Sequence, residues 1–161
     1  MAEQDRLQKL EQPVFWVDKV AREIIGKNPK TKKFRCEMGL GASGIPHIGS
    51  AGDGVRSYVV YLALKQLKKN AEFIAYADDR DGLRKVPMGF PEELNKEIGR
   101  PVSMVPDYQK CHKSLAEHIE SILIDAFEKL GVKFKLRRGH LEYAKGTFDK
   151  EVIEILTKAA E

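Results

Sequence analysis

The sequence predicts an α/β fold in which helices flank a parallel sheet, and two features carry this prediction. Apolar and charged side chains alternate over residues 34–38, the period of a β-strand, and a glycine-rich turn then leads into a helical pattern over residues 46–69. A second apolar run at residues 72–77 follows that helix directly. Two strands joined by a long helix form a right-handed crossover unit, and its strands pair in parallel.

The segment before the first strand is predicted to contain one helix. Over about residues 13–25 apolar side chains recur at helical spacing, namely Phe15, Trp16, Val20, Ile24 and Ile25. Residues 1–12, rich in Glu, Gln, Lys and Arg, are expected to form an N-terminal extension. The basic stretch 27–33 is expected to be a solvated loop rather than an RNA contact, because most charge runs are solvated.

The chain after the second strand is predicted to be irregular at first and helical later. Residues 85–107 hold most of the prolines, which indicates a long connection over the sheet edge with a brief helix at residues 91–98. Ser114 and Glu117 form a capping box ahead of an apolar stripe, and Gly131 ends the helix that they begin.

A third strand and a last helix complete the predicted fold. Apolar and basic residues alternate over residues 132–137, which predicts a strand with one basic face. Residues 139–146 are expected to connect this strand to a helix capped by Thr147. That helix is expected to bury its apolar residues, Val152, Ile153 and Leu156.

Composition permits several partners and argues against some kinds of site. The chain has 161 residues, about one domain, and its 28 Lys and Arg against 24 Asp and Glu permit an RNA partner without requiring one. Cys36 and Cys111 form no C-x-x-C pair, so neither a disulfide framework nor a zinc ribbon is predicted. His112 and His118 are too far apart for an i, i+4 pair, and no metal site is predicted. Without a membrane-length apolar run or a signal peptide, the chain is expected to be soluble and cytoplasmic.

Candidate binding residues lie at the ends of the first two strands, the edge at which parallel sheets bind ligands. Gly39, Gly41 and Gly44 would let backbone N–H groups approach a ligand, and the N-terminus of the next helix suits a phosphate. A histidine at a helix start is often only a cap, but beside these glycines His47 is interpreted as a phosphate contact. The crowded carboxylates within residues 78–81 call for a cation nearby, such as Arg84, Lys85 or a cation of the ligand.

Three segments resemble one known family. Residues 47–50, H-I-G-S, resemble the H-I-G-H signature of class I aminoacyl-tRNA synthetases, with Ser50 in the last position. Residues 76–87, Y-A-D-D-R-D-G-L-R-K-V-P, are similar to the W-D-D-x-D-x-x-R-K-V-P block of class I lysyl-tRNA synthetases. Residues 111–118, C-H-K-S-L-A-E-H, are similar to that family's C-H-x-S-x-A-E-H segment. The segments follow the family's order and about its spacing, and the likeness extends from near Trp16 to the end of the chain.

The resemblance implies a Rossmann-like catalytic domain, of which residues 13–161 would form the N-terminal part. It implies ATP-dependent activation of lysine to lysyl-adenylate, with Mg²⁺ accompanying ATP, and transfer of lysine to tRNA. The catalytic residues would be His47 and Ser50. ATP would be bound by Gly39, Ser43, Gly44, His47, Gly49 and Ser50. The amino acid would be bound by Gly39, Gly41, Asp78, Asp79 and His112.

Two departures from the family bear on activity. Gly41-Ala42 stand where the family has Thr-Pro, whose threonine hydroxyl is expected to help hold the amino acid. The second family signature, K-M-S-K-S, and the anticodon-binding domain would lie beyond Glu161; residues 110–114, K-C-H-K-S, only mimic that signature. The chain is therefore expected to be a fragment, or half of a split enzyme completed by a second polypeptide, with little lysine-dependent ATP–pyrophosphate exchange of its own.

Two other functions stay open. A free-standing nucleotidylyltransferase of the same superfamily would have about this length and a similar His-x-Gly-His helix start, but such proteins lack the R-K-V-P block. A non-catalytic nucleotide- or RNA-binding module derived from a synthetase would keep the glycine turn and lose the chemistry.

Overall fold

Three parallel strands form the sheet at the centre of the protein. A computed structural model describes residues 15–42 and 44–159. The strands lie in the order β1 (Phe34–Leu40), β2 (Ala71–Ala77) and β3 (Lys135–Arg138). Leu40 pairs with Ala77 and Ala77 pairs with Arg138, so the three strands end level with one another. The predicted α/β fold, a Rossmann-like parallel sheet with flanking helices, is confirmed.

Five α-helices accompany the sheet in the described part of the chain. They are α1 (Trp16–Lys27), α2 (Ile48–Gln66), α3 (Leu115–Lys129), α4 (Gly139–Ala144) and α5 (Asp149–Lys158). The long connection between β2 and α3 contains two short 3₁₀ turns, Glu92–Glu97 and Val102–Met104. In the ranges that the structure describes, no helix has the length and apolar character needed to cross a membrane.

The burial of each strand follows from its place in the sheet. Along β1 the even-numbered side chains are buried or half-buried, whereas Arg35, Glu37 and Gly39 are exposed. Since β2 pairs with a strand on both sides, it is buried along nearly its whole length. The alternation predicted for β1 is therefore confirmed, and the continuous apolar run of β2 fits its central position.

Three apolar clusters hold the described elements together; one packs α1 and α2 against the starts of β1 and β2, and the other two involve α3. One joins β1 and β2 to α3, with half-buried aromatic residues of α2 at its margin, and its buried members include Met38, Phe73, Leu123 and Phe127. The other joins the long connection to the start of α3, and its buried members include Leu83, Leu94, Val102, Val105 and Ile119. The irregular segment after β2 is thus fixed by a core of its own.

Both predicted ends of α3 are confirmed. Ser114 occupies the N-cap position, and its hydroxyl accepts a hydrogen bond from the backbone N–H of Glu117 at 3.3 Å. The helix ends before Gly131, whose positive φ of 73° is a conformation that glycine adopts without a side-chain clash.

The region before β1 agrees in part with the expectation. The predicted helix is present as α1, and the residues before Phe15, including the expected extension at residues 1–12, lie outside the described residues. Within the long connection the brief helix expected at residues 91–98 is a 3₁₀ turn rather than an α-helix.

The C-terminal elements differ from the expectation in three respects. The third strand begins at Lys135 rather than at residue 132, because the part that pairs with β2 starts there. The stretch expected to be a connector contains helix α4. Thr147 does not cap α5, since Phe148 stands at the N-cap and the Thr147 hydroxyl donates to Glu142 instead.

The burial predicted for the last helix is wrong. Val152 is 39% exposed, and Ile153 and Leu156 are 64% and 66% exposed. None of the described residues of α5 is buried, because no described element packs over its apolar face.

Gly54 of α2 tests how tightly this core is packed. A Cβ atom at this position would overlap the Phe127 ring and lie 2.9 Å from the Met38 sulfur, whereas a Cβ at Gly52, one half-turn earlier, would meet nothing within 4 Å. We expect Gly54→Ala to lower the free energy of unfolding by about 1–3 kcal/mol through overpacking. The matched variant Gly52→Ala should raise it by about 0.5–1 kcal/mol, because alanine favours helix. Urea denaturation measures both, and equal effects of the two substitutions would contradict this packing.

Candidate active site

The level ends of the three strands bring three loops to one edge of the sheet, which we call the carboxyl edge. The glycine turn follows β1, Asp78 and Asp79 follow β2, and Gly139 follows β3. The backbone N–H of Asp78 donates to the carbonyl oxygen of Leu40 at 3.2 Å, which ties the first two loops together. Most of the residues predicted to bind ligands therefore belong to one edge of the sheet.

His47 stands at the N-cap of α2, and its ring already has one partner. Its Nδ1 accepts a hydrogen bond from the backbone N–H of Gly49 at 3.0 Å. Because Nδ1 accepts, the proton of the neutral ring must be on Nε2. The cap interpretation and the phosphate interpretation of His47 are thus compatible, since Nδ1 begins the helix and Nε2–H is a donor for a ligand oxygen.

The absence of a side chain at Gly49 leaves room for the His47 ring. A Cβ atom at position 49 would lie 2.8 Å from Cε1 and 3.0 Å from Nδ1 of the His47 ring. The sequence analysis assigns Gly49 to ATP binding, and the structure adds a role inside the protein, because any side chain there would push the imidazole away. Ser50, the next predicted site residue, is half-buried in the first turn of α2.

The other glycines of the turn border open space. Cβ atoms at Gly39, Gly41 and Gly44 would each meet no atom of the described residues within 4 Å. Protein packing does not demand glycine at these positions, so the space beside them is free for a ligand. Ser43, the remaining predicted ATP contact, lies outside the described residues.

Asp78 is one of the two exposed carboxylates of the acidic block, and Asp81 is the other. Partial burial and the negative charges of Asp81 and Asp79 together raise the pKa of Asp78 above its usual value. A group in this position is stabilised in its charged form when a cation approaches. Asp78 therefore remains a plausible partner for an ammonium group or for a metal ion carried by a nucleotide.

Asp79, which the family resemblance assigns to amino-acid binding, is instead buried against His140. Its side chain is only 1% exposed, its Oδ1 accepts the backbone N–H of His140 at 2.7 Å, and its Oδ2 forms a short contact with Nδ1 of His140. Gly139 makes this approach possible, because a Cβ there would lie 3.1 Å from both the Ala77 carbonyl oxygen and Asp79 Oδ1. Asp79 holds α4 against the end of β2, and its carboxylate is not exposed to a substrate.

His140 is a residue of the carboxyl edge that sequence reasoning missed. Its side chain is 35% exposed while its Nδ1 faces Asp79, which is the arrangement of an imidazole oriented by a carboxylate. The signal in the sequence is a histidine two residues after the last residue of the third strand. The sequence analysis placed a connector there and gave that histidine no role.

A buried ion pair lies close to this part of the edge. Arg138 Nε donates to Glu120 Oε2 at 2.9 Å, and Glu120 is fully buried in α3. Burial raises the pKa of Glu120, and Arg138 opposes that rise. Nearby, Arg80 stacks over the Tyr143 ring with 4.8 Å between its guanidinium carbon and the ring centroid, instead of pairing with the neighbouring carboxylates.

His112 lies in a different place from the other predicted site residues. Its backbone N–H donates to Asp107 Oδ2 at 2.8 Å, and its Nδ1 lies 3.1 Å from the Cys111 sulfur. The buried His118 places its Nδ1 3.2 Å from that sulfur and 3.2 Å from Asp107 Oδ1. We call these four residues the Asp107 cluster.

The Asp107 cluster is ordered around an ionised carboxylate. Burial alone would raise the pKa of Asp107, but backbone N–H donors from His112, Gln109 and Cys111, together with the Cys111 thiol, hold it at about 2. Two imidazoles, a thiol and a carboxylate thus converge, with all four ligand atoms within 4.8 Å of one another. This donor set and spacing suit a four-coordinate Zn²⁺, which would fasten the loop before α3 to the helix.

No metal site is predicted from the sequence, because the Asp107 cluster has no regular spacing along the chain. The distance between the two histidines along the sequence rules out an i, i+4 pair on one helix, but the loop folds back so that Asp107 and Cys111 supply the missing ligands. The pattern D-x₃-C-H-x₅-H was the available signal. It carries no regular secondary-structure period, so only the folded loop brings its members together.

The fold and the carboxyl edge define a class of protein. A parallel sheet whose first strand leads through a glycine turn into a helix capped by the histidine of H-I-G is the nucleotide-binding architecture of class I aminoacyl-tRNA synthetases. The family model described as tRNA synthetases class I (K) matches residues 14–161. The chain belongs to this family, the class I lysyl-tRNA synthetases.

Curated relatives are similar along nearly the whole chain. A lysine–tRNA ligase of Cenarchaeum symbiosum is 41% identical over 149 residues, which are 90% of this chain and 28% of the relative. Those of Pyrococcus furiosus and Rickettsia prowazekii are 34% and 33% identical, covering 86% and 91% of this chain and 27% and 28% of the relatives. The chain spans little more than a quarter of the length of these relatives.

The donor atoms of the Asp107 cluster predict that the protein binds zinc. We expect the purified chain to bind one Zn²⁺, and a zinc concentration of about one hundred times Kd should add about 2.7 kcal/mol to the free energy of unfolding. Cys111→Ser should remove most of this zinc-dependent stabilisation, because a hydroxyl replaces the thiolate ligand. Cys36→Ser, at the cysteine on β1, is the matched control and should keep it. Elemental analysis and thermal unfolding with and without chelator measure both, and equal zinc content in the two variants would contradict a site at Cys111.

Proposed function

We propose that this chain is the N-terminal part of the catalytic domain of a lysine–tRNA ligase, acting as a fragment or as half of a split enzyme. The ligase would activate lysine with ATP to lysyl-adenylate and transfer the lysine to tRNA. The observation that carries the proposal is the carboxyl edge, where the Nε2–H of His47 and three glycines border open space beside the exposed Asp78. Family membership supports the same reaction.

The ATP-binding part of the proposal rests on His47 and α2. In adenylate formation the amino-acid carboxylate attacks the α-phosphate of ATP, so the protein must position the reactants and stabilise negative charge on phosphate oxygens. The Nε2–H of His47 is a donor of the required kind. The N-terminus of α2, a helix of 19 residues, adds a positive dipole end at the same place.

The amino-acid part of the proposal rests on Asp78. A lysine ligand carries two ammonium groups, and an exposed carboxylate with a raised pKa is stabilised when one of them approaches. Mg²⁺ bound to ATP is the other cation that this carboxylate would accept. His140, oriented by Asp79 at the neighbouring strand end, is a further group that would face these substrates.

The proposed enzyme also needs the parts of the relatives that this chain does not match. The relatives extend over more than three times the length that this chain matches, and we propose that the missing signature loop and tRNA-binding parts are supplied by further sequence or by a second polypeptide. A cytoplasmic location, where tRNA, ATP and lysine are present, stays a prediction.

One observation favours a second candidate function. Position 41, where the family's threonine hydroxyl would contact the amino acid, is a glycine bordering open space. A synthetase-derived module that binds a nucleotide without activating lysine would tolerate this loss. The two candidates differ in lysine binding, and both require the nucleotide site.

The His47 ring allows the nucleotide site to be tested apart from the helix cap. His47→Asn should keep the cap, because asparagine is a good N-cap acceptor, while it removes the Nε2 donor. We expect the affinity for Mg²⁺–ATP to fall about 10- to 100-fold, the loss of one hydrogen bond to a charged group. His47→Ala should lose the same affinity and also about 1 kcal/mol of stability.

Calorimetry and thermal unfolding separate these two effects. An ATP affinity in His47→Asn equal to that of the unchanged protein would contradict the assignment of His47 to phosphate binding. A loss of stability as large as that of His47→Ala would mean that the asparagine does not replace the cap, and His47→Gln would then be compared in the same assays.

Asp78 is tested by lysine binding. Asp78→Asn should weaken lysine binding by about 2–5 kcal/mol, the cost of removing one partner of a desolvated charge pair. Asp81→Asn, at a neighbouring exposed carboxylate of the same block, is the control and should have a much smaller effect. Titration with lysine, arginine and glutamate measures the preference. Equal binding of lysine and glutamate would remove the lysine assignment and leave the nucleotide-binding module as the better proposal.

A further inference from the structure

The edge of the sheet opposite the carboxyl edge carries a concentration of exposed basic side chains. Each strand is entered through a loop, and because the strands are parallel the three loops meet at one edge. We define the amino-edge surface as these loops with the first residues of the strands, residues 28–35, 67–72 and 130–136. The sequence alone predicts a solvated loop at residues 27–33, because it does not show that the three segments lie together.

The amino-edge surface is strongly basic. It contains a single acid, Glu72, and eight basic residues, namely Lys30, Lys32, Lys33, Arg35, Lys68, Lys69, Lys133 and Lys135. All eight basic residues are exposed. The whole chain has a formal charge of +4 and this surface contributes +7, so the remaining residues together carry −3. The formal positive charge of this surface alone thus exceeds that of the whole chain.

Glu72 organises this surface. Its carboxylate is bonded by Lys33 at 2.7 Å, Arg35 at 2.8 Å and Lys135 at 3.1 Å, and these three cations lower the pKa of Glu72 to about 2. One negative charge is thus shared by three positive ones, which come from the residue before β1, from β1 itself and from the start of β3. The arrangement holds the cations in place and leaves them with a net positive charge.

A groove lies within the same surface. It has a volume of about 360 Å³, and its lining includes Lys33, Lys133 and Lys135 together with Glu72, to which two of these lysines are bonded. The half-buried rings of Tyr61 and Phe134 also line it. Basic residues interleaved with aromatic ones are the composition that backbone phosphates and bases of a nucleic acid require.

We propose that the amino-edge surface binds the phosphate backbone of RNA, independently of the candidate active site. The cations of three separate loops neutralise successive phosphates, and release of counterions from the RNA drives the binding. The proposal goes beyond lysine activation, because it places an RNA contact on the edge of the sheet that faces away from His47 and Asp78.

RNA fits this surface better than an acidic protein segment does. The cations are mostly lysines, which act as mobile point charges and match a regular polyanion without needing a fixed partner geometry. The groove offers apolar contacts between the charges, which a phosphate–sugar–base chain can use at each repeat.

The experiment compares two triple charge reversals. Lys32→Glu, Lys69→Glu and Lys133→Glu together change one exposed lysine in each of the three amino-edge loops. Lys19→Glu, Lys96→Glu and Lys150→Glu together change three exposed lysines outside the surface and alter the net charge by the same amount. The probe is a tRNA transcript without its 3′-terminal CCA, which removes the end that an active site would hold, and fluorescence anisotropy is measured between about 50 and 200 mM salt.

The amino-edge variant should bind the transcript at least tenfold more weakly than the unchanged protein, and the slope of log affinity against log salt should become shallower by about 2 to 3. The control variant should keep most of the affinity and most of the salt dependence of the unchanged protein. Thermal unfolding checks that both variants fold, and Mg²⁺–ATP affinity should be unchanged in the amino-edge variant.

Three results would overturn the proposal. Equal losses in the two variants would mean that only net charge matters, and no loss in the amino-edge variant would place RNA elsewhere. Tighter binding of a polyglutamate peptide than of RNA of equal charge would assign the surface to an acidic protein. Because none of these outcomes involves His47, a failure of the nucleotide site in His47→Asn would leave this inference standing.

Discussion

The parallel pairing of β2 with both of its neighbours is the constraint on which the rest of the structure depends. Since β1 buries only its even-numbered side chains, a one-residue slip in its pairing with β2 would turn those apolar side chains to the exposed face. The shared register brings Leu40, Ala77 and Arg138 level, and every loop of the carboxyl edge is placed by that alignment. The same pairing gathers the basic loops at the other edge, so one set of backbone hydrogen bonds separates the charges of the molecule.

The elements that periodicity determines could be predicted from the sequence, and the elements that depend on distant contacts could not. Residues 34–38 alternate because one face of β1 is buried, and the capping box at Ser114 is a local arrangement, so both were predictable. Helix α4 is short and lies where Asp79 accepts the backbone N–H of His140, a partner 61 residues away. No local pattern contains that contact, which is why the same residues were expected to form a connector.

The candidate site likewise contains residues that the sequence predicts and residues whose positions depend on distant contacts. Motif resemblance brought His47, the glycines and Asp78 to attention, and the strand ends place them on one edge. Resemblance could not show that Asp79 is buried beneath His140, because nothing in the sequence distinguishes the two neighbouring aspartates. In the fold, Asp78 is exposed and Asp79 is buried. Nor could resemblance assemble the Asp107 cluster, whose four members come together only because a loop without regular structure folds back on the start of α3.

The cap of α2 ties the architecture of the protein to its chemistry through a single ring. Nδ1 of His47 is occupied by the backbone of Gly49, and Nε2 remains as a donor. The bond to Gly49 therefore selects the tautomer that carries its proton on Nε2. One hydrogen bond thus sets both where the helix begins and which atom of the ring is left to donate.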